Sequence, residues 1–315
     1  MNVEGKNIQP IDARASANPT SIIDKKKKVN SNSIQYFLLL LFPLIFFIVG
    51  MIIPLMMGIY NSFTDWDGIS LEKNWIGFSN YMEIFKDEMF INSFKFTGLF
   101  MIFNTLIQNV AAFVFAVFLD SSIRAKNFYR TIIFAPVLLS PILVGQIWTK
   151  MYGTILPSIN DMFGLSINLN LFSSPDTVLT GLIIANNWQW IGYWMLIYLA
   201  GLQAVPKDIY EACTVDGGNW LQKFMHITVP MLGPSITICT IGIATGSLKV
   251  YELIVASTGG GPGDSSKSTI MYIYDSAFMS QRSSYASAMS VVFLIVLLIF
   301  AFIQLKILRK REVEL

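Results

Sequence analysis

Lys249 and Glu252 stand three residues apart in an otherwise apolar stretch, a spacing that puts both on one face of a helix. A charge at the centre of a bilayer costs roughly 2.5–3.5 kcal/mol on insertion scales, so such residues are kept where they pair or meet water or substrate. Two roles stay open for them: an ion pair that stabilises a bundle, or the wall of a polar cavity that binds hydroxyl groups. Upstream, Asn186, Asn187, Trp188, Gln189, Trp190, Tyr193 and Trp194 mix amides with aromatic rings. Rings pack on the C–H faces of sugars and amides satisfy their hydroxyls, although such a cluster also suits an aromatic belt at the membrane surface. Other constellations carry no chemistry. His226 has no Cys, Asp or Glu at ligand spacing, and the only two cysteines, Cys213 and Cys239, make no disulfide framework. The run from Gly261 to Ser268 imitates a phosphate-binding loop, but Ser266 stands where its second glycine is required and no strand precedes it. No nucleophile–base pair or metal cluster is evident, so the chain reads as non-enzymatic.

The elements that carry these residues are membrane spans. The 315 residues are 54% hydrophobic and only 13% charged, with a mean hydropathy of +0.56, outside the range of ordinary soluble domains. A spanning helix needs about 20 mostly apolar residues. Six stretches qualify: 34–60, 93–119, 131–152, 177–200, 234–257 and 285–307. The fourth and fifth are interrupted by polar and small residues, as spans that face protein or a watery path can be. The third holds Pro136 and Pro141 around Ser140, and the fifth holds Gly242 and Gly246 at a spacing that lets helices approach closely. The fold class is therefore all-α, a polytopic membrane protein. It comprises a disordered tail (1–33), a six-helix domain (34–307) and a short C-terminal tail (308–315).

Orientation follows from the basic residues. Fifteen of the 22 Lys and Arg fall in the two tails, the 120–130 loop and the 201–232 loop; six lie in the opposite loops or at their span ends. The positive-inside rule makes both termini and the 201–232 loop cytoplasmic. The Lys25–Lys28 run is read as a topology signal, not a nucleic-acid site, and the first stretch as a retained span.

The loop from 203 to 230 is built to fold. Pro206 ends the fourth span, Asp208 is placed to cap a short helix from about Ile209 to Val215, and Gly217-Gly218 stops it. Asn219 caps a second helix, Trp220 to about Ile227, which carries Trp220, Phe224 and Ile227 on one apolar stripe. That stripe suits either a helix lying on lipid headgroups or a helix docked in a groove of a partner.

A spaced pattern runs through this loop: Glu211-Ala212-Cys213, three residues, Gly217, nine residues, then Ile227, Val229 and Pro230. It resembles the EAA motif of binding-protein-dependent ABC importer permeases, with Cys213 where alanine and Val229 where leucine are usual. Residues 42–68, 75–85, 199–206, 257–278 and 285–292 are similar to the sugar-type subfamily, the maltose and glycerol-phosphate permease type. The resemblance implies a subunit without a cofactor of its own, in the cytoplasmic membrane of a bacterium, working with a second homologous permease and two copies of an ATPase that bind ATP. An extracytoplasmic solute-binding protein would deliver a neutral mono- or oligosaccharide, and the flexible loop around Gly261 would suit contact with it. By the same resemblance Glu211, Ala212, Asp216 and Gly217, with Trp220 and Phe224, would couple to the ATPase. Trp188, Tyr193, Ser247 and Lys249, with Glu252, would line the sugar path.

Overall fold

The computed structural model describes residues 31–121, 124–164 and 168–309. Residues 1–30 and 310–315, with most of both predicted tails and the Lys25–Lys28 run, lie outside the described residues. The chain divides into two compact units, residues 1–55 and 56–315. Among the described residues the protein is helical almost throughout, with one isolated extended bridge between Thr64 and Trp75.

The first unit holds α1 (Ser31–Phe47), a π-helical stretch Ile48–Ile52, and the start of α2 (Ile53–Asn61). In the second unit follow α3 (Ser79–Ile84), α4 (Glu88–Asp120), α5 (Lys126–Phe134), a 3₁₀ turn Ala135–Leu138, and α6 (Pro141–Lys150). Next come a π stretch Met151–Ile155, α7 (Leu156–Met162), α8 (Pro175–Ala204), α9 (Lys207–Val215) and α10 (Trp220–Lys223). The chain continues through a π stretch Phe224–Thr228 into α11 (Val229–Met231), α12 (Gly233–Leu248), α13 (Glu252–Ser257), α14 (Thr269–Tyr274), a π turn Asp275–Met279 and α15 (Ser283–Arg309).

Three of the π stretches end two residues before a proline: Ile52 before Pro54, Ile155 before Pro157, Thr228 before Pro230. Proline has no N–H to donate and its ring presses on the carbonyl four residues back. A wider turn just before it makes room for the ring without ending the helix.

Three helices are long and apolar enough to cross a membrane as single rods: Tyr36–Asn61, Glu88–Asp120 and Ser283–Ile307. The predicted third span is instead two helices, Lys126–Leu138 and Pro141–Met162, bent by 100°. Pro136 and Pro141 remove two backbone donors at the bend, and Ser140 caps α6 by accepting from the Leu143 N–H at 3.3 Å. The predicted fifth span is bent by 62° at its entry and broken again after Leu248. α8, the predicted fourth, runs 30 residues, about 45 Å at 1.5 Å per residue, long enough to cross with its polar residues turned into the bundle.

Glycines mark where these rods cross. A Cβ on Gly192 of α8 would lie 2.2 Å from the Ile133 carbonyl oxygen of α5, and one on Gly145 of α6 would lie 2.8 Å from Ala256 of α13. Gly242 receives the Trp194 ring in the same way, whereas Gly246 faces open space; only one half of the small-residue pair is a close approach. Around these crossings lie three buried cores. One joins α4, α8, α6 and α13 through Phe100, Leu182, Val144 and Ile254; a second joins α4, α8 and α12 through Ala116, Met195 and Ile243. The third packs Ile84 and Phe90 on Tyr285 and Met289 of α15.

The end of the bundle bearing that third core is tightly tied. Asp87 caps α4 by accepting from the N–H groups of Met89 and Phe90, and its other oxygen accepts from the Tyr272 and Tyr285 hydroxyls at 2.7 and 2.6 Å. Burial pushes the Asp87 carboxyl up, but these four donors outweigh it and hold it below the usual carboxylate range. The loop after α13, expected to be flexible, is bound down here as well. Lys267 reaches Asp264 at 2.8 Å and Asp275 at 3.2 Å, and the fully buried Ser266 bonds to Thr258 and to the Gly261 carbonyl. A buried serine whose hydroxyl is already committed gives this loop its shape, a role its glycine-rich composition conceals.

Candidate functional site

Between α4, α8 and α12 lies a cavity of about 200 Å³, lined by Asn104, Gln108, Asn186, Trp190, Lys249 and Glu252 among others. α4 contributes a stripe of polar and small residues in an apolar helix: Ser93, Thr97, Asn104 and Gln108 are all buried. Asn104 ties three helices together. Its Nδ2 donates to the Ser247 hydroxyl of α12 at 2.8 Å and to Gln108 Oε1 at 3.3 Å, and its Oδ1 accepts from Asn187 of α8 at 2.9 Å. Gln108 Nε2 is left buried with no partner.

Lys249 and Glu252 both line this cavity, but not as one helical face. α12 ends at Leu248, Tyr251 adopts φ −144° and ψ −63°, and Glu252 begins α13. The Lys249–Glu252 ion pair is not formed, and Lys249 meets no carboxylate within ion-pair distance among the described residues. A helix broken at the level of a polar cavity is tolerated because the cavity, not lipid, receives the freed backbone.

The other sequence-derived path residues are dispersed. Ser247 lines the cavity, yet it is buried and its hydroxyl already donates to the Ile243 carbonyl while accepting from Asn104. Trp188 lies outside this cavity, in a separate groove of 490 Å³ beside Trp148, the two rings 6.0 Å apart edge to face. Tyr193 is half-exposed and packs edgewise on Trp194 at 4.9 Å. The rings that face the cavity are Trp190 and Trp194, one turn apart and in line with Asn186. Gln189, fully buried, donates to the Leu139 carbonyl freed at the α5–α6 bend, at 2.9 Å. Asn104 and Gln108 were missed from sequence, although an i, i+4 amide pair inside an apolar span is itself a sign of a bundle-facing or cavity-facing stripe.

The 203–230 loop forms a compact hairpin of α9 and α10. α9 starts at Lys207 with Pro206 as its flanking residue, so Asp208 is not the cap. It lies in the first turn, where its charge favours the positive helix end. Gly217, at φ 80°, closes α9 in the left-handed region. The Gly217 N–H donates to the Thr214 carbonyl and the Gly218 N–H to that of Cys213, the paired bonds of a Schellman ending. Asn219 and Gln222 then form a reciprocal capping box at 2.8 and 2.9 Å. Lys223 bonds Thr214, and the hydroxyls of Tyr210 and Thr228 bond each other, which locks the two arms.

Glu211, Ala212, Asp216 and Gly217 are all exposed on this hairpin. The predicted apolar stripe is graded along its length. Ile227 is buried, Phe224 leans on Phe113 of α4 at 5.8 Å, and Trp220, 70% exposed, stacks on Phe224 at 5.4 Å. The apolar surface left uncovered is Val215, Trp220, Leu221 and Met225, not the whole stripe.

A family model described as binding-protein-dependent transport system inner membrane component matches residues 84–313. The chain is 33% identical to the probable starch degradation products transport system permease protein AmyD of Thermoanaerobacterium thermosulfurigenes, over 92% of this chain and 99% of that protein. It is 29% identical to the multiple sugar-binding transport system permease protein MsmF of Streptococcus mutans, over 87% and 95%. The fold is similar to one chain of a bacterial alginate ABC transporter, solved in complex with an alginate pentasaccharide-bound periplasmic protein. That match has a TM-score of 0.78 and 20% identity, over 89% of this chain and 95% of that one.

Proposed function

The chain belongs to the family of binding-protein-dependent transport system inner membrane components, and from that premise we propose that it is one permease subunit of an ATP-driven importer of a neutral carbohydrate. It would supply half of the path and pair with a second, homologous permease. Two copies of an ATPase would bind the loop 203–230, and an extracytoplasmic solute-binding protein would deliver the sugar. The similarity to permeases named for starch products and multiple sugars supports a carbohydrate cargo. The cavity supports a neutral one: it offers amides, two indole rings, one cation and one carboxylate, so its formal charge balances.

The excess of Lys and Arg on one side supports a cytoplasmic placement of the hairpin and both termini. The observation that carries the coupling role is the hairpin itself. Its turn is fixed by a Schellman ending and a capping box, its arms are cross-bonded, and it presents exposed Val215, Trp220, Leu221 and Met225 beside Glu211 and Asp216. A rigid, exposed element of this kind can carry a push from an ATPase to α8 and α12, which it joins in the chain, and so shift the cavity between inward- and outward-open states.

Gly217 tests this. A Cβ there meets no atom within 4 Å, so a side chain is opposed only by the left-handed backbone and by whatever docks on the hairpin. Gly217→Glu is expected to leave the complex assembled but to separate ATP hydrolysis from sugar uptake, while Gly217→Asn, which tolerates the left-handed region, retains most uptake. ATP-driven uptake by Gly217→Glu equal to that of the unaltered complex would remove the coupling role.

A further inference from the structure

On the tied end of the bundle, α14 and its π turn place Tyr274 and Phe278 one turn apart, their ring centroids separated by 4.8 Å. Tyr274 in turn lies 5.7 Å from Tyr251, and Tyr251 lines the 200 Å³ cavity. Tyr274 and Phe278 line a second cavity, of 530 Å³, opposite Trp66 and beside Ser283 and Ser287. The pair Tyr251–Tyr274 is thus a wall common to both cavities, and three rings run without a gap from the outer one to the inner. The Trp66 platform is fixed: its indole N–H donates to the Ser70 carbonyl at 2.8 Å, and the Lys73 ammonium sits 3.8 Å from its ring centroid. Phe278 remains 68% exposed.

Sizes separate the roles of the two cavities. Sites that enclose a drug-sized ligand measure roughly 300–1,000 Å³. The inner cavity, at 200 Å³, falls below that range and suits a single ring, whereas the outer one, at 530 Å³, falls inside it. An outer cavity with aromatic walls and a serine row on one side matches a molecule with apolar C–H faces and hydroxyl edges. A lipid chain would use the rings but not the serines, and would have no need of continuity with a polar, charged cavity.

We propose that the Trp66–Tyr274–Phe278 cavity is a second sugar subsite, that the cargo is an oligosaccharide, and that its leading ring occupies the inner cavity while the following rings rest on the aromatic row. This rests on the carbohydrate reading above. The rings act as smooth platforms: each successive pyranose exchanges one aromatic face for the next, so no single bound position is deep enough to hold the chain.

The test is uptake by the complete transporter, with its binding protein, of a panel of α-glucan, β-glucan and N-acetylated oligosaccharides of one to five rings. Each sugar is compared between unaltered and variant complexes, which cancels the selectivity of the binding protein. Tyr274→Ala and Phe278→Ala are expected to raise the KM of transported sugars of three or more rings roughly five-fold each, the worth of burying one pyranose C–H face. Single-ring sugars should stay within about two-fold, since the inner cavity is untouched by either change. Tyr274→Phe and Phe278→Tyr, which keep the rings, should keep uptake. An equal loss at every chain length, or a loss of membrane-inserted complex with Tyr274→Ala and Phe278→Ala but not with the ring-keeping variants, makes the rings an anchor and overturns the proposal. No uptake of any panel sugar by the unaltered complex sinks the carbohydrate reading, and the subsite with it.

Discussion

Gln108 keeps an amide N–H buried at the cavity wall with no acceptor, an arrangement that costs about 1–3 kcal/mol in an empty site. A cargo hydroxyl would remove that cost. Gln108→Leu is therefore expected to leave the melting temperature of the complex unchanged or higher, while sugar uptake falls about ten-fold, the worth of one hydrogen bond in a desolvated site. A lower melting temperature would instead make Gln108 a structural tie to Asn104. At this scale the sequence displays residue type but not direction. Amides and indoles between Asn186 and Trp194 are plain to see, yet which indole meets the cavity depends on the rotation of α8. That helix is apolar on nearly every side, so its own pattern has no face to announce. Its setting comes from crossings with α4 and α5, and those involve residues far away in the chain. Lys249 and Glu252 were visible as charges in an apolar run, while the break between them is visible only once neighbours are in place.

The elements were legible to different degrees. The capping chemistry at Asn219 and the left-handed stop at Gly217 follow from local sequence, because each is satisfied within five residues. The single rods α4 and α15 follow from length and apolarity alone. The 100° bend at Ser140 did not, since two prolines announce a break but not its angle, which is held by Gln189 from another helix. The α5–α8 crossing gives the prediction proper to this scale. A side chain at Gly192 would run into the backbone of Ile133 and Phe134, which cannot swing aside as a side chain can. Gly192→Val is expected to destabilise the protein by about 1–3 kcal/mol or more and to reduce the yield of folded protein in detergent. Gly246→Ala, into open space, should be neutral, and an equally harmless Gly192→Val would show that α5 is not held at this crossing.

Taken as one molecule, the second unit is anchored at one end by contacts between residues distant in sequence. Asp87 accepts from Tyr272 and Tyr285, Arg282 reaches both oxygens of Glu83 at 2.7 Å, and Ser284 bonds Thr64 at 2.8 Å. None of this was readable beforehand, because pairings across nearly 200 positions leave no local pattern. Its pH dependence has a definite sign. A carboxyl held below its unfolded value of about 3.9 contributes stability that is complete above that pH and is lost as the pH falls through its folded value. Thermal melts should be insensitive to Asp87 titration from neutral pH down to about 5 and should soften below about 4. Asp87→Asn should lower the melting temperature at neutral pH and reduce the drop on acidification. An acid drop of unchanged size in Asp87→Asn would assign it to other carboxylates, such as Asp65 and Asp67, which accept from Asn74 and from Ser70 and Ile69.

The proline-linked wide turns constrain how such a chain can change its length. In the turn Phe224–Thr228 the helix accommodates one more residue than an α-helical path would need before Pro230. Deleting a single residue there would not simply shorten the segment; it would rephase everything beyond it by about 100°. Ile227 would then leave the bundle, and α12, with the cavity wall it carries, would be out of register with Trp194 and Asn104. Between Asn219 and Pro230 the chain tolerates changes of letter far more readily than changes of count.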